Sequence, residues 1–217
     1  MGFSDMFSFL RKLEQNNTKE WMDANRKAYH QVRNYYISWL DKMNVKLAEI
    51  DPDYFDTPGK KAINRINNNL MFHPNKPIYK DHFGAGLDQL SKQGDFYIHL
   101  SHKESFIGGG YWHPSSKVLK SIRQGIDYNG EELKQIMAKK SFRKCFGGLV
   151  QDDPLKTAPK GFSQSHPHID LLRRKSFAVT VSLTHKEILS TNFDAQVIEI
   201  YKEMLPFRRY LNQAVTV

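Results

Sequence analysis

The chain has 217 residues, a length that fits one large domain or two small ones and that can bury a sizeable core. Hydrophobic residues make up 40% and aromatic residues 12% of the sequence, which excludes an intrinsically disordered protein. The net charge of +9 permits an anionic partner. It does not demand one, because the basic residues are scattered and no nucleic-acid motif accompanies them.

The sequence predicts a cytoplasmic protein. Cys145 is its one cysteine, so no disulfide can form within the chain, as is usual in a reducing compartment. No apolar run approaches the ~20 residues that a membrane span needs, and we therefore expect no membrane partner. The start of the chain lacks the basic region, long apolar region and cleavage site of a secretory signal.

Two helices are predicted first. Ser4 caps a helix that runs to about Gln15. Asn17, with Glu20 three residues later, resembles a capping box for a second, long helix that ends near Ile50. Apolar and aromatic residues recur at helical spacing, and we interpret them as core rather than as a cofactor site. They are Phe7, Leu10 and Leu13, then Trp21, Ala24, Ala28, Val32, Tyr35, Trp39, Met43 and Leu47.

Three further strands are predicted between residues 95 and 183. Residues 95–101 alternate polar and apolar side chains, and residues 104–112 are their expected hairpin partner. Residues 108–110 are all glycine, which lets another backbone or a ligand approach closely, although the pattern of a nucleotide-binding loop is missing. Residues 176–183 form the third strand.

The remaining chain is predicted to be mostly helical. One helix begins after Ser115 and a second after Asn129, whereas residues 140–168 are rich in glycine, proline and polar residues and predict a long loop. Thr184 caps a short helix, and a final helix covers residues 194–211. Hairpin-like strands among helices predict an α+β fold, with an antiparallel sheet of a few strands packed against several helices, in a single domain over residues 1–217.

Residues 63–85, named the central segment here, concentrate hydrogen-bonding side chains between two short apolar runs. Alternation predicts a short strand over residues 61–66. Residues 67–69 are all asparagine and favour a turn, while Pro74 and Pro77 exclude a helix. We therefore predict an irregular loop of the kind that carries function on a rigid scaffold.

The same residues carry a family resemblance. The central segment is similar to the signature of the domain of unknown function 2461 family, R-x-x-R-D-x-R-F-x-x-D-K-x-P-Y-K followed by H-F-G-A. The matching residues are Arg65, Phe72, Lys76, Tyr79, Lys80 and residues 82–85. Asn68 and Met71 replace arginines of the signature, Asn69 and Asn75 replace aspartates, and Ile78 replaces its proline. The resemblance continues through FLRKLEQNNTKEW, GGGYWHP and LLRRKSFAV, and it implies no established activity.

Several familiar chemistries have little support in the sequence. No G-x-S-x-G motif is present, and Cys145, although it has basic neighbours that favour a reactive thiolate, has no histidine close in sequence. The pairs His99/His102 and His166/His168 lack the carboxylate or cysteine partners of a metal site. We interpret Cys145 as a structural thiol and predict no metal and no cofactor.

The main hypothesis is a site for a phosphate- or carboxylate-bearing ligand, because arginine and lysine are the usual anchors of such groups. Arg65 and Lys76 are predicted to converge on one concave surface near the triple glycine. The alternative is that they pair with Asp81 or Asp95 and only hold the loop. The predicted ligand-binding residues are Arg65, Asn68, Lys76, Tyr79, Lys80 and His82, with Tyr111, Trp112 and His113 as an aromatic wall and Arg173, Arg174 and Lys175 as additional charge.

Two other functions stay open. The first is an enzyme that uses His82, His113 and Tyr79 for acid–base chemistry, which requires a histidine in one cleft with Lys76 and Tyr79. The second is a structural or interaction protein that docks through the long helix. A nucleic-acid partner is suggested by the net charge alone.

Overall fold

The computed structural model describes residues 1–89 and 94–216. They form an α+β fold with a four-stranded antiparallel sheet in the order β1-β2-β3-β4. The strands are β1 (His82–Leu87), β2 (Phe96–Ser101), β3 (Ser105–Tyr111) and β4 (Phe177–Leu183). The described helices are α1 (Phe3–Gln15), α2 (Lys19–Ala24), α3 (Arg26–Ala48), α4 (Gly59–Ala62), α5 (Ser116–Ala138), α6 (Lys140–Phe146), α7 (Ile169–Leu172), α8 (His185–Ile188) and α9 (Phe193–Ala214).

The N-terminal helices match the prediction in position but differ in detail. The predicted long helix is interrupted at Asn25, where its side chain bonds to the Trp21 carbonyl, so that α2 and α3 are separate. Thr18, not Asn17, caps α2 by accepting the Trp21 amide hydrogen. The Asn17 side chain is free to bond elsewhere because it does not cap the helix.

The hairpin of β2 and β3 is confirmed, as is β4. Ser105 closes the turn, because its hydroxyl accepts the Ser101 amide hydrogen at 2.9 Å and donates to the Ser101 carbonyl at 2.8 Å. The sequence prediction missed β1, whose HFGAGL sequence has few strand-favouring residues. Gly84 is required there, because a Cβ at this position would lie 2.3 Å from the Tyr97 hydroxyl.

The predicted strand over residues 61–66 is wrong in its first half. Residues 59–62 form the short helix α4, and extended backbone begins only at Ile63. Ile63 then forms an isolated antiparallel bridge with Ala85. Sequence alternation gave the wrong start because Pro58 and Gly59 initiate a helical turn before the chain extends.

The chain divides into two compact units. Unit 1 contains Met1–Gln89, Tyr97–Ile107 and Ser182–Ile198. Unit 2 contains Gly108–Val181 and the described parts of Leu90–Phe96 and Glu199–Val217. Both units are built from discontinuous segments, and the single domain over residues 1–217 stays a prediction.

Aromatic residues from distant parts of the sequence form the core of unit 1. Phe3 contacts Trp39 and Phe193 edge-on, at 5.2 and 5.4 Å between ring centroids. The Trp39 indole donates to Asp194 at 2.8 Å, and Lys46 donates to the same carboxylate at 2.7 Å. The long helix therefore uses its aromatic residues inside its own unit, as a core stripe would.

Unit 2 is built around α5 and α9. The predicted break in α5 is confirmed, since Asn129 has non-helical backbone angles. Residues 140–168 are not all loop, because α6 forms at their start and buries Phe142 and Phe146. Arg208 of α9 is only 1% exposed. It donates to the Gly94 carbonyl at 3.0 and 3.2 Å, which gives this buried charge hydrogen-bonding partners.

None of the helices in the described part of the chain is both long enough and apolar enough to cross a membrane.

Candidate functional site

The two ends of the central segment lie side by side in an antiparallel arrangement. Ile63 bridges to Ala85 and Asn67 to Tyr79. Between these bridges the Lys80 amide donates to the Ile66 carbonyl at 2.8 Å. Beyond the bridge between Asn67 and Tyr79, the Asn68 side chain joins the two sides again by donating to the Pro77 carbonyl at 2.8 Å. Asn68, one of the predicted ligand-binding residues, is therefore engaged in holding the loop.

Asn17 attaches this segment to the connection between α1 and α2. Its amide nitrogen donates to the Tyr79 carbonyl, and its amide oxygen accepts the Tyr79 N–H, both at 2.9 Å. The Tyr79 residue is only 6% exposed. Tyr79 is thus fixed by its backbone and buried by its ring, which favours a structural role over contact with a ligand.

Lys80 lies at the base of the loop. Its ammonium donates to the carbonyls of Arg65, at 2.6 Å, and Asn67, at 3.3 Å. Partial burial, followed by the positive charges of Arg65 and Lys76, lowers the pKa of Lys80. Arg65 and Lys76 are therefore each close enough to Lys80 to disfavour its positive charge.

The side chains of Arg65 and Lys76 are exposed and form no ion pair or hydrogen bond with any residue that the structure describes. The alternative pairing with an acid is not seen in the part of the chain that the structure describes. Asp81 instead bonds to the neighbouring His82, with its carboxylate 3.0 Å from the imidazole Nδ1. The two cations therefore have no acidic partner within the described residues.

His82 belongs to a row of stacked rings across the first three strands. Its ring lies 4.0 Å from that of His99 on β2, which in turn lies 4.6 Å from Phe106 on β3. Burial lowers the pKa of His82, although Asp81 opposes the effect. Burial and the neighbouring His82 lower the pKa of His99 to about 4. The His99 imidazole is therefore neutral at pH 7, and the His82 imidazole favours its neutral form more than an ordinary histidine does.

The triple glycine is explained by packing within unit 2. A Cβ on Gly109 would lie 2.4 Å from the Met204 sulfur, and one on Gly110 would lie 2.3 Å from the Phe177 carbonyl. Gly110 also has a φ of 99°, which side chains rarely tolerate. The predicted close approach is therefore to another backbone and to side chains of α9.

The residues proposed as an aromatic wall have different environments. Tyr111 is buried, and its hydroxyl donates to Asn212 at 3.0 Å. Trp112 is 54% exposed, with its ring 4.4 Å from that of His113. Tyr111 therefore offers no exposed wall, whereas Trp112 does expose its ring.

The Arg173–Lys175 cluster is occupied by partners in unit 2. Arg174 lies 3.3 Å from Asp152 and also donates to the Val150 carbonyl. Lys175 lies 3.4 Å from Asp153, and Arg173 donates to Gln164 at 2.5 Å. These cations serve internal contacts and are less available to a ligand than Arg65 and Lys76.

Unit 2 also contains a surface depression of about 510 Å³. Its lining combines apolar side chains with Arg143, Arg174 and Asp170. Arg174 is already bound to Asp152, and Asp170 opposes an anion, so this depression is a weaker candidate. Burial and then Glu203 raise the pKa of the Cys145 thiol, which supports its interpretation as a structural thiol.

Sequence reasoning missed two features of the site. Asn17 looked like a helix cap, and nothing in the local sequence signals its bonds to a residue 62 positions away. The ring row of His82, His99 and Phe106 depends on the register of three strands, one of which was not predicted. Had β1 been predicted, its pairing with β2 would have placed His82 on the same face of the sheet as His99.

The sequence profile of a conserved hypothetical protein family, DUF2461, matches residues 5–210. No curated protein matches the chain.

Proposed function

The chain belongs to the DUF2461 family of conserved hypothetical proteins, and we propose that it is a cytoplasmic protein that binds a phosphate- or carboxylate-bearing ligand at the central segment. The observation that carries the proposal is the pair Arg65 and Lys76, two exposed cations without a described acidic partner beside the charged Lys80. An anion between them would supply the missing negative charge.

The loop is organised before any ligand arrives. Lys80 bonds to the carbonyls of Arg65 and Asn67, and Asn17 holds Tyr79 from the other side. A fixed backbone lowers the entropy lost on binding. Charge-assisted hydrogen bonds contribute about 1.5–3 kcal/mol each, so two such contacts give measurable affinity for a small anion.

The roles of the predicted residues follow from this geometry. Arg65 and Lys76 contact the ligand, and Lys80 adds positive potential from the base of the loop. Asn68 and Tyr79 support the loop. The aspartates of the family signature are replaced by Asn69 and Asn75, so these two positions carry no negative charge that would neutralise Arg65 and Lys76.

A double substitution tests the proposal. Arg65→Ala with Lys76→Ala should abolish the thermal shift that phosphate, sulfate or phosphorylated compounds give the wild-type protein. Its unfolding free energy should change by less than ~0.5 kcal/mol, because both side chains are exposed. A crystal soaked in sulfate should show an anion between the two side chains.

The matched control is Lys139→Ala with Lys140→Ala, which removes two exposed charges from unit 2. This control should keep the anion response. The proposal fails if no anion shifts the wild-type protein, or if the control loses the response equally. If the Arg65/Lys76 variant unfolds, the segment is a structural clamp instead.

Acid–base catalysis stays a second candidate because Asp81 orients His82. A bond from Nδ1–H to Asp81 leaves Nε2 of a neutral imidazole as a proton acceptor. The burial of Tyr79 weakens the original set of His82, His113 and Tyr79. Turnover of a phosphorylated or carboxylated compound that is lost in His82→Gln, with anion binding retained, would establish this function.

A further inference from the structure

The loop that carries the free cations also exposes a continuous apolar tip. Residues 70–77 are all exposed. The first three, named the tip here, are Leu70, Met71 and Phe72, which are 36%, 79% and 69% exposed. Three consecutive exposed apolar residues are unfavourable in water unless a partner covers them.

The charge around the tip has one sign. Residues 57–80 contain five lysines and arginines and no aspartate or glutamate. Of these cations, Arg65 and Lys76 lie on either side of the tip in sequence and have no described acidic partner. An apolar tip with unneutralised cations on both sides matches a surface that offers anionic groups above an apolar layer.

We propose that the central segment binds the surface of an anionic phospholipid bilayer, with the tip inserted among the acyl chains and Arg65 and Lys76 on lipid phosphates. This inference rests on the proposed function, because the phosphate of the lipid headgroup is the anion of that same site. It requires no membrane-spanning helix, since the tip would enter only the interfacial layer.

The composition of the tip favours lipid over single-stranded nucleic acid. Nucleic-acid sites combine cations with aromatic faces on which bases stack. The tip has one aromatic ring, Phe72, beside two aliphatic side chains. The nearby row of His82, His99 and Phe106 uses its ring faces on one another, with neighbouring centroids 4.0 and 4.6 Å apart.

The segment is also fixed firmly enough to present the tip. The bridge between Asn67 and Tyr79 and the bond from Asn68 to Pro77 join its two sides below the tip. Insertion therefore costs little backbone entropy, because the backbone is already ordered. The apolar side chains and the cations would enter the interface together.

The test is co-sedimentation of the full chain with vesicles of phosphatidylglycerol and phosphatidylcholine, compared with vesicles of phosphatidylcholine alone. The wild-type protein should sediment with the anionic vesicles and release at high salt. Replacing Leu70, Met71 and Phe72 by serine should weaken this partition roughly tenfold or more. Arg65→Ala with Lys76→Ala should weaken it ~25-fold, at about fivefold for each cation.

A matched triple variant replaces three exposed apolar residues elsewhere in unit 1, namely Val45, Phe55 and Leu189, by serine. It should bind vesicles like the wild-type protein. The serine variant of the tip should still bind inorganic phosphate, which separates this inference from the proposed function.

Three outcomes would overturn the inference. They are a wild-type protein that ignores anionic vesicles, a tip variant that still sediments, and tight binding of a single-stranded oligonucleotide in place of vesicles. Phosphate binding by the wild-type protein without vesicle binding would leave the proposed function standing and reject the bilayer alone.

Discussion

Two basic clusters of this protein contain the same residue types but differ in what neutralises them. In unit 2, Arg174 and Lys175 lie 3.3 and 3.4 Å from Asp152 and Asp153. In the central segment, Arg65 and Lys76 have no acidic partner among the residues that the structure describes. This difference indicates that the pairing of charges, rather than their density in the sequence, determines where an anion is attracted.

The largest expected effect tests whether the unit 2 cluster is held internally. The Asp152 side chain is fully buried and accepts the amide hydrogens of Lys175 and Ser176 at 2.9 and 2.8 Å. Asp152→Ala leaves the two amides without their acceptor and the Arg174 guanidinium without its ion-pair partner, and should lower the unfolding free energy by about 3 kcal/mol. Urea unfolding measures the loss.

Asp153→Ala is the matched control, because this carboxylate is 97% exposed. Loss of its ion pair with Lys175 should lower the unfolding free energy by less than ~0.5 kcal/mol. Equal, small effects of both substitutions would remove the distinction between the two clusters. Arg174 would then be as available as Arg65.

A smaller effect tests the support of the central segment. Asn17→Ala removes both side-chain bonds to Tyr79 and should lower the unfolding free energy by about 2 kcal/mol, at ~1 kcal/mol for each hydrogen bond. It should also weaken phosphate binding measured by calorimetry, because the loop loses its anchor. Asn16→Ala, which removes a local bond to Lys12, should leave phosphate binding unchanged.

The smallest effect is a dependence of stability on pH. The folded pKa of His99 is about 4, below the ordinary value of 6.5, so the unfolded chain binds more protons between these values. The neutral His99 ring contributes its full share of the folding stability above pH 6.5, and this contribution is lost as the pH falls towards 4. The loss should be about 1 kcal/mol, because the ring is only partly buried and solvent screens its interactions.

Urea unfolding at pH 7.5 and pH 4.5 measures this dependence. His99→Gln should flatten it, whereas His73→Gln, at an exposed residue of the loop, should not. Acidification also protonates His82, whose imidazole interacts with Lys80, and should strengthen the binding of sulfate. An unchanged profile in His99→Gln would contradict the stacked, partly buried environment of this ring.

Local sequence patterns predicted the elements whose side chains alternate or recur clearly. The strand residues Phe96, Ile98 and Leu100 are fully buried, as alternation indicated. The capping box of Thr184 is confirmed. Elements determined by distant contacts were missed, such as β1, in which Gly84 leaves space for Tyr97. Local propensity carries no information about that contact.

In the candidate site, too, local sequence predicted some features, whereas those that depend on distant contacts were missed. Residue types alone selected Arg65, Lys76 and Lys80, and the structure brings the first two within electrostatic range of Lys80. They did not reveal that Asn68 and Tyr79 support the loop, because both roles depend on residues brought near by folding. The stacking of His82 on His99 likewise depends on strand register.

The burial of Trp39, finally, gives the protein a built-in fluorescent probe. Trp39 packs in unit 1 with its indole bonded to Asp194, and Trp112 in unit 2 is 54% exposed. The first indole should emit at shorter wavelength, and the second should be quenched readily by acrylamide. Trp112→Phe leaves Trp21 and Trp39, which both belong to unit 1, so that spectra recorded with and without Trp112 follow the melting of each unit separately. Coincident transitions would mean that the two units unfold cooperatively as one domain.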